Sequence, residues 1–320
     1  MGAVTDTIFD VGLVPLIVLE DARDAVPFAR ALVAGGVPIA EVTFRTDAAR
    51  QVIADMAREV PEILVGAGTV HTVEQAKQAV EAGAKFIVTP GFHPQVIRWC
   101  QENSIEVIPG TVSPADLEQA LELGLENCKF FPAAAYGGVK TLKALAGPYA
   151  QLKFMPTGGV TEENMLEYLS LKNVGAVGGS FMAPSNLVKE KRWEEITALC
   201  RQMVQKVLGF RLLHIGINTS GEAEAAAVAD SFGSIFGQPV TEQPKAYFAG
   251  EMVEVVKGVS LGAKGHIAVG TRDIARAVTY LKRQGVALDD STALYDAKGC
   301  LSLIYLKEEI GGFAVHLRQL

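Results

Sequence analysis

The chain lacks long apolar runs, clusters of basic residues and any cysteine patterning, and each absence removes a class of function. No stretch of the 320 residues approaches the ~20 uninterrupted apolar positions that a membrane-spanning helix requires, so a soluble protein is expected. The formal net charge is −7 with no run of Lys or Arg, which argues against nucleic acid or an anionic membrane as partner. Cys100, Cys128, Cys200 and Cys300 lie far apart without CxxC spacing, and the N-terminus has no basic segment followed by an apolar core. Reduced thiols and a cytoplasmic location are the expectation.

What is present is a folded composition and a strong alternation. Charged residues make up 20% and hydrophobic residues 49%, a balance that excludes disorder, and the length allows two domains with ample cores. Short β-rich runs fall at Val14–Leu19, Ile39–Phe44, Leu64–Gly68, Phe86–Val88, Val107–Ile108, Lys129–Phe131, Phe154–Pro156 and Val174–Gly178. Amphipathic segments such as Val73–Ala82 and Pro114–Leu123 separate them. Eight strands at intervals of roughly 20 to 25 residues predict a (β/α)8 TIM barrel. A doubly wound open sheet is the alternative, but it usually stops at about five to seven strands.

Two of these strands carry charge where a barrel should be apolar. Period-two alternation in Ile39–Arg45 puts Glu41, Thr43 and Arg45 on one face and Val42 and Phe44 on the other. The helix layer claims the apolar face, so the polar set points inward, where an unpaired charge costs several kcal/mol. In Cys128-Lys129-Phe130-Phe131-Pro132, Lys129 and Phe131 share a face while Cys128 and Phe130 turn to the helices. Desolvation disfavours an ammonium, and a neutral amine can attack a carbonyl to form a Schiff base. The structural alternatives are a lysine snorkelling to water and an ion pair that merely holds the barrel together. Converging lysine, glutamate and arginine are nonetheless what a Schiff-base lyase requires: an amine, a proton shuttle and a grip on a carboxylate.

Pro156-Thr157-Gly158-Gly159 and Gly178-Gly179-Ser180 end the last two strands. Singly, each Gly pair marks a tight turn; at adjacent strand ends they let backbone N–H groups approach a phosphate. His71 and His93 follow barrel strands and are read as loop histidines without a role.

Seven segments, in order over residues 5 to 207, resemble one family: Glu41-Val-Thr-Phe-Arg45-Thr46, Gly66-Ala-Gly-Thr69-Val, Thr89-Pro-Gly91, Lys129-Phe-Phe-Pro-Ala133, Gly137-Gly-Val-Lys140, Pro156-Thr-Gly-Gly159 and Gly178-Gly-Ser180. They are similar to the motifs of the class I aldolases acting on 2-keto-3-deoxy-6-phosphogluconate (KDPG) and 4-hydroxy-2-oxoglutarate (KHG). The resemblance implies that Lys129 forms the Schiff base and Glu41 transfers protons. It implies that Arg45 and Thr69 hold the pyruvyl carboxylate and that Pro90 and Phe131 line the pocket. Thr157, Gly158, Gly159, Gly179 and Ser180 would receive the phosphate. It further implies a homotrimer, a small 2-keto acid substrate and no metal. Departures at Pro109-Gly-Thr-Val-Ser113 and at Phe181-Met182 fall where the aldehyde half would sit, and leave open whether the substrate is phosphorylated.

Asn186 to Val207 is predicted as one helix, with Trp193, Ile196, Cys200, Met203 and Val207 as its packing stripe. Gly209 closes it, giving domains 1–209 and 210–320. Beyond it His214-Ile-Gly-Ile-Asn218 recurs as His266-Ile-Ala-Val-Gly270, each followed by a helical segment, Glu222–Phe236 and Asp273–Gln284, and then further strands. Two βαβββ modules forming an α+β domain are expected. This half resembles a vicinal oxygen chelate domain, the fold of glyoxalase I, extradiol dioxygenases and bleomycin-resistance proteins. The resemblance implies His214, Glu254, His266 and His316 as ligands of a divalent metal, Zn, Ni, Fe or Mn. The last position is more often glutamate in that family. The domain is therefore either a metal-dependent lyase, isomerase or dioxygenase, or a metal-free binding and assembly module.

Overall fold

The computed structural model describes residues 2–320. The chain forms two compact units, Met1–Lys206 and Val207–Leu320. In the first, strands β1 (Leu13–Ile17), β2 (Ile39–Thr43), β3 (Leu64–Gly68), β4 (Phe86–Val88), β5 (Glu106–Ile108), β6 (Gly110–Thr111), β7 (Asn127–Phe130), β8 (Lys153–Pro156) and β9 (Val177–Gly179) alternate with helices. All pairings are parallel, in the orders β5-β4-β3-β2-β1-β9 and β6-β7-β8. Parallel bridges Phe154↔Val174 and Thr157↔Gly178 link β8 to the segment containing β9. This is a β/α barrel.

The expected strand at Val107–Ile108 is two pieces, because Pro109 has no N–H to give a ladder. Its carbonyl still accepts from Lys129 N at 2.8 Å, so the interruption stays stitched to β7.

Several helices begin where a side chain supplies an acceptor for their unpaired N–H groups. Thr72 accepts from Gln75 N ahead of Val73–Glu81, and Ser113 and Asp116 form a reciprocal capping box ahead of Pro114–Glu122. At the opposite end, Glu106 receives Val4 N at 2.9 Å and Thr5 N at 2.7 Å, and also the Thr5 hydroxyl. The first helix, Ala3–Val11, is thereby fixed to the start of β5.

The expected single helix over Asn186–Val207 is two, Ser185–Lys189 and Trp193–Leu208. Lys191 between them adopts φ +55°, a left-handed conformation that a continuous α-helix cannot contain. The apolar stripe does pack: Ile196, Cys200 and Met203 are fully buried, and Trp193 meets Phe28 edge-on with centroids 5.8 Å apart.

The second unit is one mixed eight-stranded sheet built from β10 (Arg211–Asn218), β11 (Val240–Glu242), β12 (Ala246–Ala249), β13 (Val253–Val256), β14 (His266–Thr271), β15 (Leu288–Tyr295), β16 (Leu301–Leu306) and β17 (Ala314–Gln319). Its order is β11-β12-β13-β10-β14-β17-β16-β15. Helix Glu222–Phe236 buries Ala225 and Ala229 against Val255, with Tyr247 and Val253 beside them. Alternation therefore turns Glu254 and Phe248 to the other face.

Phe130 and Phe154, both fully buried, meet edge-on with centroids 6.5 Å apart between the barrel and its helices. Phe154→Ala is expected to cost about 3–5 kcal/mol in chemical denaturation; a loss below about 1 kcal/mol would contradict this packing.

Candidate active site

Glu41 occupies the middle of β2, with Leu16 and Gly66 as its neighbours across the ladder, and its side chain is fully buried. Lys129, third residue of β7, is 4% exposed, and its Nζ donates to Glu41 Oε1 at 3.1 Å. Both chains point inward, as strand alternation requires. Room for them comes from β3: a Cβ at Gly68 would lie 2.2 Å from Glu41 Oε1, and one at Gly66 would lie 2.3 Å from the Phe86 ring. The Thr111 hydroxyl donates to the Lys129 carbonyl at 3.2 Å, tying β6 to β7, and the inward Thr43 hydroxyl donates to Ile17 O at 3.0 Å, tying β2 to β1. Alternation alone puts Thr43 on the inward face; Thr111 was not singled out by sequence reasoning, and it pairs with Phe130 across the ladder, on the helix-facing side.

The second carboxylate oxygen, Glu41 Oε2, is buried and has no hydrogen-bond partner. An unsatisfied buried acceptor costs about 1–3 kcal/mol, more when charged, so this oxygen is set to receive a proton donor. The Phe131 ring centroid is 5.4 Å from Lys129 Nζ, and Phe131 in turn limits Gly158, where a Cβ would come within 3.2 Å of the ring. Gly158 and Gly159 have φ of +90° and +79°, and a Cβ at Gly159 would lie 2.3 Å from that of Ala134. Only glycine fits this loop. Thr157 and Gly179 are buried and Ser180, just past β9, is exposed. Thr69 and Pro90 are half-buried at the ends of β3 and β4, Thr69 with φ +57°, rare for a β-branched residue.

Arg45 departs from expectation. It lies in the turn after β2 and is exposed rather than buried inside the barrel, because the strand ends at Thr43. Among the described residues no side-chain contact joins it to the Lys129–Glu41 pair. Cys128 is not a competing nucleophile, since burial pushes its thiol up to about 12. His93 is a helix cap, its Nδ1 accepting from Val96 N at 3.4 Å, and His71 is exposed.

A second cluster lies in the sheet of Val207–Leu320. His214, His266 and His316 are buried on neighbouring strands β10, β14 and β17, with one ligating atom from each within 4.8 Å of the others. His214 Nε2 lies 3.2 Å from His266 Nε2, and Glu254 Oε2 lies 3.0 Å and 3.3 Å from the two nitrogens. Burial alone would raise the Glu254 carboxyl, but hydrogen bonds from both imidazoles outweigh it and hold the group at about 2. Burial, aided by the other two histidines, pushes His316 down to about 4, so it stays neutral and keeps a free lone pair at neutral pH. The flanking Phe248, 5.8 Å from His214, and Tyr305, 4.7 Å from His316, were not legible as site residues.

Residues 4–199 match the family model described as KDPG and KHG aldolase. The chain belongs to this family. It is 45% identical over 205 residues to the 2-dehydro-3-deoxy-phosphogluconate aldolase of Treponema pallidum, spanning 63% of this chain and 98% of the relative. The KHG/KDPG aldolase of Escherichia coli K12 is 44% identical over 193 residues, 60% of this chain and 91% of that one. Among solved structures, the Legionella pneumophila KDPG aldolase, captured with pyruvate as a covalent carbinolamine, superimposes with TM-score 0.61 at 41% identity, covering 62% and 97% of the two chains.

In this aldolase-family barrel the Gly68 contact is directly testable. Gly68→Ala is expected to displace the Glu41 carboxylate from Lys129 and to lower stability by about 1–3 kcal/mol through overpacking. A variant crystal structure that retains the 3.1 Å bond, with an unshifted melting temperature, would contradict that crowding.

Proposed function

We propose that the barrel is a Schiff-base aldolase that cleaves KDPG to pyruvate and glyceraldehyde 3-phosphate, and 4-hydroxy-2-oxoglutarate to pyruvate and glyoxylate. The observation that carries this reading is the buried 3.1 Å contact between Lys129 Nζ and Glu41 Oε1, with Oε2 left open. Lys129 attacks the C2 carbonyl as a free amine. The resulting carbinolamine loses water to give a protonated imine. Glu41 accepts the C4 hydroxyl proton, the C3–C4 bond breaks, and its electron pair flows into the imine to give an enamine and the free aldehyde. Protonation at C3 and hydrolysis then release pyruvate and the lysine. The imine serves as the electron sink, so no metal enters this reaction.

Substrate contacts follow the strand ends. Arg45, exposed at the end of β2, and Thr69 hold the substrate carboxylate, while Pro90 and Phe131 bound the reacting carbons. The positive-φ glycines 158 and 159, with Thr157, Gly179 and Ser180, receive the phosphate. The barrel acts as a cytoplasmic homotrimer, in line with its family. Incubating the chain with pyruvate and borohydride is expected to add the reduced adduct to the Lys129 peptide alone, and Lys129→Ala is expected to abolish both labelling and cleavage. Labelling at another lysine would overturn the assignment.

For the sheet unit we propose a vicinal-oxygen-chelate-like domain of two βαβββ modules that holds a divalent metal on His214, Glu254, His266 and His316. The donor set fits. Two nitrogens bound to one zinc at tetrahedral angles sit about 3.3 Å apart, and the three contacts among His214, His266 and Glu254 are 3.0 to 3.3 Å. His266 Nδ1 and His316 Nδ1 are buried without partners. A bound divalent ion would supply Lewis acidity toward a ligand oxygen. One equivalent of zinc or nickel is expected to survive dialysis of the full chain and to be lost in His214→Ala/His266→Ala. Wild-type protein without metal, or the double variant with it, would refute the site; cleavage of KDPG should be indifferent to chelator.

A further inference from the structure

The wall beside Lys129 is made by a peptide rather than by a side chain. Gly110 is the register partner of Lys129 across the β6–β7 ladder, so the two residues sit about 4.8 Å apart and any side chain at 110 would point, like Lys129, into the barrel. That space is taken by the turn after β4. A Cβ at Gly110 would lie 2.2 Å from Pro90 O, 2.4 Å from Pro90 C and 2.7 Å from Gly91 N. All three atoms belong to one peptide, which therefore rests on the bare α-carbon of Gly110, one strand away from Lys129 and inward of β6.

Thr89 holds that peptide in place. It follows β4 directly and is fully buried. Its hydroxyl donates to Gly91 O at 2.7 Å, closing the turn around Pro90. Gly110 N donates to Thr89 O at 3.0 Å and, at 3.4 Å, to Thr89 Oγ1. One threonine thus links the turn that carries Pro90 to the strand on which it rests, and its buried hydroxyl is satisfied by doing so. On the side where a Cβ would sit, Gly91 meets nothing within 4 Å, so packing from there does not hold the turn. The hydroxyl and the seat on Gly110 do.

We infer that Thr89 and Gly110 are positioning residues that set how far the pocket extends beside C3 of the bound 2-oxoacid, and so select the size of the group that C3 carries. The inference rests on the Schiff-base reading of Lys129 with Pro90 against the reacting carbons, and adds to it the two residues that place Pro90. Neither touches substrate; both act through the Pro90–Gly91 peptide. A site works only when its walls are held to within about 0.5 Å, so a turn free to drift changes selectivity before it changes the fold. The two positions act with opposite signs. Removing the Thr89 hydroxyl frees the peptide to move outward, whereas a methyl group on Gly110 pushes it further into the barrel.

Competition between pyruvate and 2-oxobutanoate, which carries one more methyl group on C3, reads this wall directly. The full chain is incubated with equal concentrations of both, reduced with borohydride, and the two Lys129 adducts are quantified by mass spectrometry. The wild type is expected to favour pyruvate. Thr89→Val keeps the side-chain shape and should shift the adduct ratio toward 2-oxobutanoate by roughly tenfold, the low end of what one methylene is worth in a fitted pocket. Thr89→Ser should restore the wild-type ratio, and Gly110→Ala should shift it about threefold or more the other way. A general loss of stability would not move the two variants in opposite directions. Either folded variant with the wild-type ratio, shifts of the same sign in both, or Thr89→Ser with the ratio of Thr89→Val would overturn the inference and leave the Schiff base standing. Should one variant fail to fold, the other decides. An unlabelled Lys129 in the wild type would overturn the Schiff-base reading and this inference with it.

Discussion

The barrel is organised around one buried contact, the Lys129 ammonium-forming nitrogen on the Glu41 carboxylate. Taking both groups out of water costs several kcal/mol, and their attraction repays this only with good geometry and filled hydrogen-bonding positions. Here one carboxylate oxygen has no partner at all. Apolar residues of similar volume would serve stability as well or better, so stability does not explain the pair. The proposed chemistry would: a Schiff-base cleavage needs an amine that can shed its proton and a carboxylate with a free oxygen to take one. The surrounding sequence makes room for the pair. Gly66 and Gly68 empty the space that Phe86 and Glu41 occupy, and the glycines at 158 and 159 let the loop after β8 pass against Phe131 and Ala134.

The sheet unit uses the same device with different residues. Helix Glu222–Phe236 covers one face and takes the apolar positions Val253 and Val255, which sends Glu254 to the other face. Central strands β10, β14 and β17 then each deliver one histidine to a common point, and β13 sets Glu254 against two of them. In both units strand alternation turns polar residues to one face, on β2 and β7 in the barrel and on neighbouring strands in the sheet unit, and the apolar alternates hold them there. The donor types separate the two proposals: an amine and a carboxylate for covalent catalysis, imidazoles and a carboxylate for a metal.

Much of this was legible because period-two alternation is a local rule. Glu41 and Lys129 could be assigned to the interior from their neighbours Val42, Cys128 and Phe130 alone, and the recurring His-strand segments located both central histidine strands. What could not be read depended on where elements stop or on contacts remote in sequence. Parity carried Arg45 inward, but β2 ends two residues earlier and the rule lapses with it. The apolar stripe from Trp193 to Val207 is regular, so nothing local marks the reversal at Lys191, where a non-glycine residue takes a left-handed conformation. Thr111, Phe248 and Tyr305 acquire meaning only from the strands they face.

The division of labour between the two buried groups can be measured on a single partial reaction, exchange of the pyruvate methyl protons with deuterated water, followed by NMR. Glu41→Gln keeps the shape of the side chain and removes its basicity. The expected result is that pyruvate still forms a borohydride-trappable adduct at Lys129 while exchange slows by about 10²–10⁴-fold. Exchange at the wild-type rate in Glu41→Gln, with Lys129 still labelled, would contradict the assignment of Glu41 as the proton-transferring group.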